Sequence, residues 1–144
     1  MLIIIPAYNE SGNIEKTIKM INEHTPEFDY VIINDCSTDH TLEICQKNDF
    51  NVIDLPINLG IGGAVQTGYQ YAVRQGYQYA VQVDGDGQHN PEFIKTMLGV
   101  LQEQKVNMVI GSRFIENQGF DWSKGNRSYI RFAGGRLQSD RRIC

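Results

Sequence analysis

Tyr79-Ala80-Val81-Gln82-Val83-Asp84-Gly85-Asp86-Gly87-Gln88-His89 decides the fold. An apolar run rich in β-branched residues stops abruptly at two carboxylates one residue apart, set among glycines. It reads as a buried strand whose end opens into a loop of concentrated negative charge. Carboxylates this close raise each other's pKa unless something positive lies between them. A hard divalent cation, Mg²⁺ or Mn²⁺, suits such oxygen donors, and Gly85 and Gly87 leave room for a phosphate beside it. The bland alternative is a solvated acidic turn, since Asp and Gly are common turn residues. An EF-hand is excluded: the sixth and twelfth loop positions would need Gly and Glu, and they hold His89 and Lys95.

Working outward, the same grammar repeats. Leu2–Ile5 is an all-apolar strand of the kind buried on both faces of a parallel sheet. Pro6-Ala7-Tyr8-Asn9-Glu10-Ser11-Gly12 follows as a loop, and Ser11 or Asn13 is placed to cap a helix carrying Ile14, Ile18 and Ile21. Tyr30–Ile33 ends at Asn34-Asp35-Cys36-Ser37, with Ser37 as the expected cap of the next helix. A third strand, 51–55, leads to the glycine-rich loop Asn58-Leu59-Gly60-Ile61-Gly62-Gly63 and a helix with Ala64, Gly68 and Ala72 on one face. Asn90-Pro91-Glu92 opens a helix with Phe93, Ile94, Met97, Leu98 and Leu101 expected on its buried face. A fifth strand covers 107–110, and beyond Glu116 periodicity fades.

Strands alternating with helices imply an α/β fold of three layers, α/β/α, with a mostly parallel sheet. Ligands of such sheets bind beyond the carboxyl ends of the strands, where strand order reverses. Polar residues gather at those ends: Tyr8, Asn9 and Glu10 after strand one, Asp35 and Asp39 after strand two, Asp84, Asp86 and Gln88 after strand four. The ligand is not a dinucleotide held by a Gly-x-Gly-x-x-Gly turn, because Pro6–Glu10 occupies the place after strand one. No Gly-x-x-x-x-Gly-Lys-Ser/Thr loop exists either.

At 144 residues the chain fits one domain. It has no apolar run able to span a membrane. Met1–Ile5 is followed at once by Pro6, Asn9 and Glu10 and has no basic leader, so it reads as a strand rather than a signal peptide. Cys36, Cys45 and Cys144 lack metal-binding spacing, which points to reduced thiols, a cytoplasmic setting and no zinc. Net charge is −4 but uneven: residues 1–112 carry 14 acids and 6 bases, residues 113–144 carry 3 acids and 7 bases. That argues against a nucleic-acid binder and leaves a basic tail to explain.

The motifs Ile4-Ile5-Pro6-Ala7-Tyr8-Asn9-Glu10, Val31-Ile32-Ile33-Asn34-Asp35-Cys36-Ser37-Thr38-Asp39, the Asn58–Gly68 stretch, Val83-Asp84-Gly85-Asp86-Gly87-Gln88-His89-Asn90-Pro91 and Ile110-Gly111-Ser112-Arg113-Phe114 stand in one order. Together they resemble family 2 glycosyltransferases of GT-A fold, in the branch that glycosylates dolichyl or polyprenyl phosphates. The resemblance implies a nucleotide-diphosphate-sugar donor, an inverting transfer, and a lipid phosphate or glycan acceptor. It assigns Pro6, Ala7, Tyr8, Glu10, Asp35, Asp84 and Gly85 to the nucleotide-sugar. Asp84, Asp86 and Gln88 are assigned to Mg²⁺ or Mn²⁺, and Asp86 and Arg113 to catalysis. Residues 1–116 would form the nucleotide-sugar-binding core. Residues 117–144 would start a basic acceptor-side region, cut short before the family's remaining segments. Arg113, Lys124, Arg127, Arg131, Arg136, Arg141 and Arg142 could meet a lipid phosphate or the inner face of a membrane, or pack against that missing remainder. The family's second motif more often reads Asp-Asp-Gly-Ser; Asn34 and Cys36 depart from it. Two alternatives stay open: a binder without turnover, and a sugar-phosphate nucleotidyltransferase, though the latter expects a basic glycine-rich loop after strand one.

Overall fold

The computed structural model describes residues 1–85, 92–104, 108–111 and 130–134. Ten elements follow in chain order: β1 (Leu2–Ala7), α1 (Ile14–His24), β2 (Asp29–Asn34), α2 (Thr41–Lys47), β3 (Val52–Asp54), α3 (Gly60–Arg74), β4 (Tyr79–Gln82), α4 (Glu92–Glu103), β5 (Met108–Gly111) and β6 (Ile130–Gly134). The strands form one sheet in the order β3-β2-β1-β4-β6-β5. β1 pairs in parallel with β2 and β4, and β2 with β3.

Side-chain alternation along β1 builds two cores. Ile3 and Ile5 pack with Ile14, Ile18 and Ile21 of α1, Cys45 of α2, and Ile94, Met97 and Leu101 of α4. Leu2 and Ile4 face the other way, against Ala64 and Ala72 of α3. The sheet is therefore the middle of three layers, covered on both faces. Small residues at Ala64, Gly68 and Ala72 let α3 lie close upon β1: a Cβ added at Gly68 would sit 2.2 Å from Ile4 Cγ2.

Strand order reverses between β1 and β4. The chain steps outward from β1 to β2 to β3, then returns to the other side of β1. That is where a crevice opens beyond the carboxyl ends of a doubly wound sheet.

Several local expectations are corrected. Ser37 does not cap α2; the Asp39 carboxylate accepts the Thr41 N–H at 3.0 Å instead, and Ser37 Oγ turns inward to Asn34 Oδ1. Asn13 stands at the cap position of α1, but its side chain donates to Glu10 Oε2 rather than accepting a helix amide. Gly60, Gly62 and Gly63 are not a loop feeding a helix but the first turn of α3 itself. Phe93 is 59% exposed, because it flanks the face of α4 that buries Ile94, Met97 and Leu101. Periodicity gave no sign of β6, which inserts antiparallel between β4 and β5, within the segment assigned to the acceptor side.

Candidate functional site

The loop after β1 is stitched to the loop after β2. Asn9 N–H donates to Ser37 Oγ at 3.0 Å, Thr38 N–H to Asn9 Oδ1 at 2.8 Å, Glu10 N–H to Thr41 Oγ1 at 2.8 Å, and Ser11 N–H to Asp39 Oδ2 at 3.1 Å. Asn9 adopts φ +57°, a left-handed conformation that Asn tolerates better than most residues. These bonds carry the Tyr8–Glu10 segment over the end of β2.

Asp39 anchors the stitch. Desolvation pushes its carboxyl up, but hydrogen bonds from Thr41 and Ser11 outweigh this and hold it at about 2. A carboxyl depressed below its ordinary 3.8 stabilises the fold above that value, and the contribution disappears as pH falls through 2. Wild type should therefore lose stability between about pH 4 and pH 2. Asp39→Asn should be less stable at neutral pH and show a flatter acid limb, measured as urea midpoints against pH. An acid limb unchanged in the variant would discount the anchor.

The second departure from the family's motif, Cys36, carries a backbone cost. Cys36 lies at φ +56°, in the region that favours glycine. A non-glycine residue there costs about 1–2 kcal/mol, partly offset by the greater chain entropy that glycine loses on folding. Cys36→Gly is expected to stabilise the fold by about 1 kcal/mol in urea titration; a lower midpoint would contradict the strain. Asn34, buried at 1% exposure, donates its amide to Asp54 Oδ1 at 2.7 Å, which an aspartate could not do.

Where β1, β2 and β4 end, a cleft of about 450 Å³ opens. It is lined by Pro6, Ala7, Tyr8, Glu10, Asp35, Asp84 and Gly85, which are the seven residues expected to hold a nucleotide-sugar. Asn58, Gly60, Ile61 and Ala64 complete the wall. These four lie in the Asn58–Gly68 motif, outside the set of site residues expected from sequence; the Asn-x-Gly pattern between β3 and α3 is the sequence signal that points to them. Asp35 is 3% exposed, and its Oδ1 accepts the Leu59 N–H at 2.7 Å, which ties the tip of β2 to the start of α3. Asn58 Oδ1 accepts the Gly60 N–H at 3.0 Å, shaping the same corner. Tyr8 is 49% exposed and offers its ring to the opening. Asp84 Oδ1 accepts from Gln82 Nε2 at 3.0 Å. Gly85 is needed for close approach, since a Cβ there would lie 3.1 Å from the Pro6 carbonyl oxygen. Asp86, Gln88 and Arg113 lie outside the described residues.

The acidic side chains lining the cleft are hard oxygen donors, with no thiolate or imidazole among the lining residues. Such a set fits Mg²⁺ or Mn²⁺ rather than zinc. Among the described residues no three His, Cys, Asp or Glu side chains converge as a complete metal-binding group.

The family profile described as "Glycosyl transferase family 2" matches residues 2–143. The chain belongs to glycosyl transferase family 2. Among curated relatives, it is 28% identical to a polyprenol monophosphomannose synthase of Mycolicibacterium smegmatis, covering 93% of this chain and 56% of that one. It spans about half the length of the curated relatives it matches. Among solved structures, TarS of S. aureus in complex with UDP superposes with a TM-score of 0.62 at 26% identity, covering 74% of this chain and 33% of that one. A mannosyltransferase of Pyrobaculum calidifontis, in complex with GDP-Man and Mn²⁺, gives 0.60 at 21% identity, with the same coverage of this chain and 33% of its own. The three-layer architecture is the GT-A fold shared with these solved structures.

Proposed function

We propose that this family 2 chain is the nucleotide-sugar-binding part of a metal-dependent, inverting glycosyltransferase whose acceptor is a polyprenyl phosphate. The observation that carries the proposal is the convergence of three strand tips on one cleft, with Tyr8, Glu10, Asp35, Asp84 and Gly85 all on its wall.

Each residue has a task suited to its chemistry. Asp35, rigidly held through Leu59, accepts hydrogen bonds from the nucleotide base. Pro6, Ala7, Tyr8 and Glu10 line the base and ribose. Gly85 leaves room for the diphosphate, and Asp84, Asp86 and Gln88 hold Mg²⁺ or Mn²⁺. A cation bound there supplies counter-charge to the diphosphate as it becomes the leaving group. An acceptor oxygen attacks the anomeric carbon from the opposite side, forming the new C–O bond as the bond to the diphosphate breaks. A lipid phosphate is already ionised near neutral pH, so this step asks no residue to remove a proton. Arg113 and the basic residues of 113–144 are assigned to the acceptor phosphate and an anionic membrane face. Residues 1–116 form the donor core in this reading, and 117–144 begin the acceptor side. Among the described residues no helix is long and apolar enough to cross a membrane; in this reading the basic residues meet the lipid at a cytoplasmic membrane surface.

The polyprenol relative and the Mn²⁺ complex of the mannosyltransferase support this reading. Calorimetry with UDP-glucose and GDP-mannose, with and without Mn²⁺, tests the donor site. Mn²⁺-dependent binding of one of them is expected; binding of neither would refute the proposal. Transfer of labelled sugar to polyprenyl phosphate separates enzyme from binder.

A further inference from the structure

We propose that Thr17, on α1, is a positioning residue that aims the acidic turn after β4; this rests on the metal-holding role proposed for that turn. Thr17 is 0% exposed. Its Oγ1 lies 2.9 Å from the Gly85 carbonyl oxygen and 3.1 Å from the Asn13 carbonyl oxygen. A hydroxyl has one hydrogen to donate. The Asn13 carbonyl already accepts the Thr17 N–H at 2.9 Å. The Gly85 carbonyl, on a buried residue, is the acceptor that would suffer without it.

The usual role of a threonine inside a helix is to bond back to its own preceding turn. Here the shorter contact instead reaches 68 residues along the chain, to the peptide between the two aspartates. That peptide is planar, so holding its oxygen fixes the orientation of the peptide plane directly after Asp84-Gly85. The space beside the Gly85 Cα is closed by the Pro6 carbonyl oxygen, 3.1 Å from where a Cβ would stand. Gly85 is thus in contact with both α1 and β1. The hydroxyl of Thr17 fixes the carbonyl, and β1 fixes the distance. Thr17 touches neither donor nor cation; it acts through Gly85.

The test compares Thr17→Val, which keeps the shape and removes the hydroxyl, with Thr17→Ser, which restores it, in the 144-residue chain. Affinities for UDP-glucose and GDP-mannose are measured with Mn²⁺, and for uridine and guanosine without metal, alongside thermal unfolding. Thr17→Val should weaken Mn²⁺-dependent binding by about 10-fold, the usual effect of losing a partner that orients a metal ligand. Nucleoside affinity should be unchanged, and Thr17→Ser should recover the loss. Unchanged Mn²⁺-dependent binding in Thr17→Val, equal losses for nucleotide-sugar and nucleoside, or failure of the serine variant would each overturn the inference. A wild-type chain whose binding ignores Mn²⁺ would remove the metal-holding role and the inference together. That result is distinct from wild type responding and Thr17→Val matching it.

Discussion

Replacing Asp84 with alanine should weaken binding of the preferred nucleoside diphosphate sugar by about 100-fold or more in Mn²⁺, since a lost charge partner of a bound cation is worth several kcal/mol. The same change should leave binding equal or slightly tighter in EDTA. The opposite signs follow from the cleft's electrostatics. Glu10, Asp35 and Asp84 all line it, so without a cation the cleft repels a diphosphate. Removing one carboxylate then reduces repulsion. With a cation present, the same carboxylate is part of what holds the positive charge, and its loss dominates. Asp86→Ala should behave alike, because the proposal assigns both aspartates to one ion. Uridine and guanosine, which lack phosphate, should bind wild type and variants equally. An Asp84→Ala protein that binds as tightly as wild type in Mn²⁺ would show the turn to be an ordinary acidic loop.

Gly68→Ala should destabilise the fold by about 2–3 kcal/mol, lowering the melting temperature by roughly 10 °C. The added methyl would stand 2.2 Å from Ile4 Cγ2, 3.1 Å from Ile4 Cγ1 and 3.2 Å from Ile4 Cβ. Ile4 is fully buried in the central strand, so it has little freedom to retreat. Alanine's better helix propensity, worth about 1 kcal/mol over glycine, offsets only part of this. Ile4→Ala alone should also destabilise, by leaving a cavity. Combined with Gly68→Ala, the two should cost clearly less than their sum, because the new methyl enters the space the isoleucine leaves. Additive losses in urea titrations would mean that α3 shifts away from β1 rather than clashing with it.

The two variants report on different layers of what the residues encode. Ile14, Ile18 and Ile21 announce the buried face of α1 at their spacing, and the structure buries all three. Asp35 and Asp84 could be placed at strand tips because an apolar run that stops at a carboxylate has one simple reading. Phe93 could not be placed so simply. A helix face several residues wide has edges, and which edge the sheet covers depends on the packing angle, not on spacing. Ser37 is a suitable cap by residue type. Asp39 displaced it because a carboxylate reaching two donors of α2 and one of the β1 loop holds more than a hydroxyl can.

By itself the sequence determined the layers, the run of parallel strands and the residues waiting at their ends, since these follow from local periodicity and from where apolar runs stop. Tertiary structure alone decided that β6 enters the sheet between β4 and β5, that Asn58 and Ile61 join the cleft wall, and that Thr17 reaches Gly85. The physical reason is range. Periodicity records what a residue does with neighbours a few positions away, whereas strand order, a shared cleft and a bond across 68 residues are fixed only when distant segments compete for the same space and the same hydrogen-bond partners.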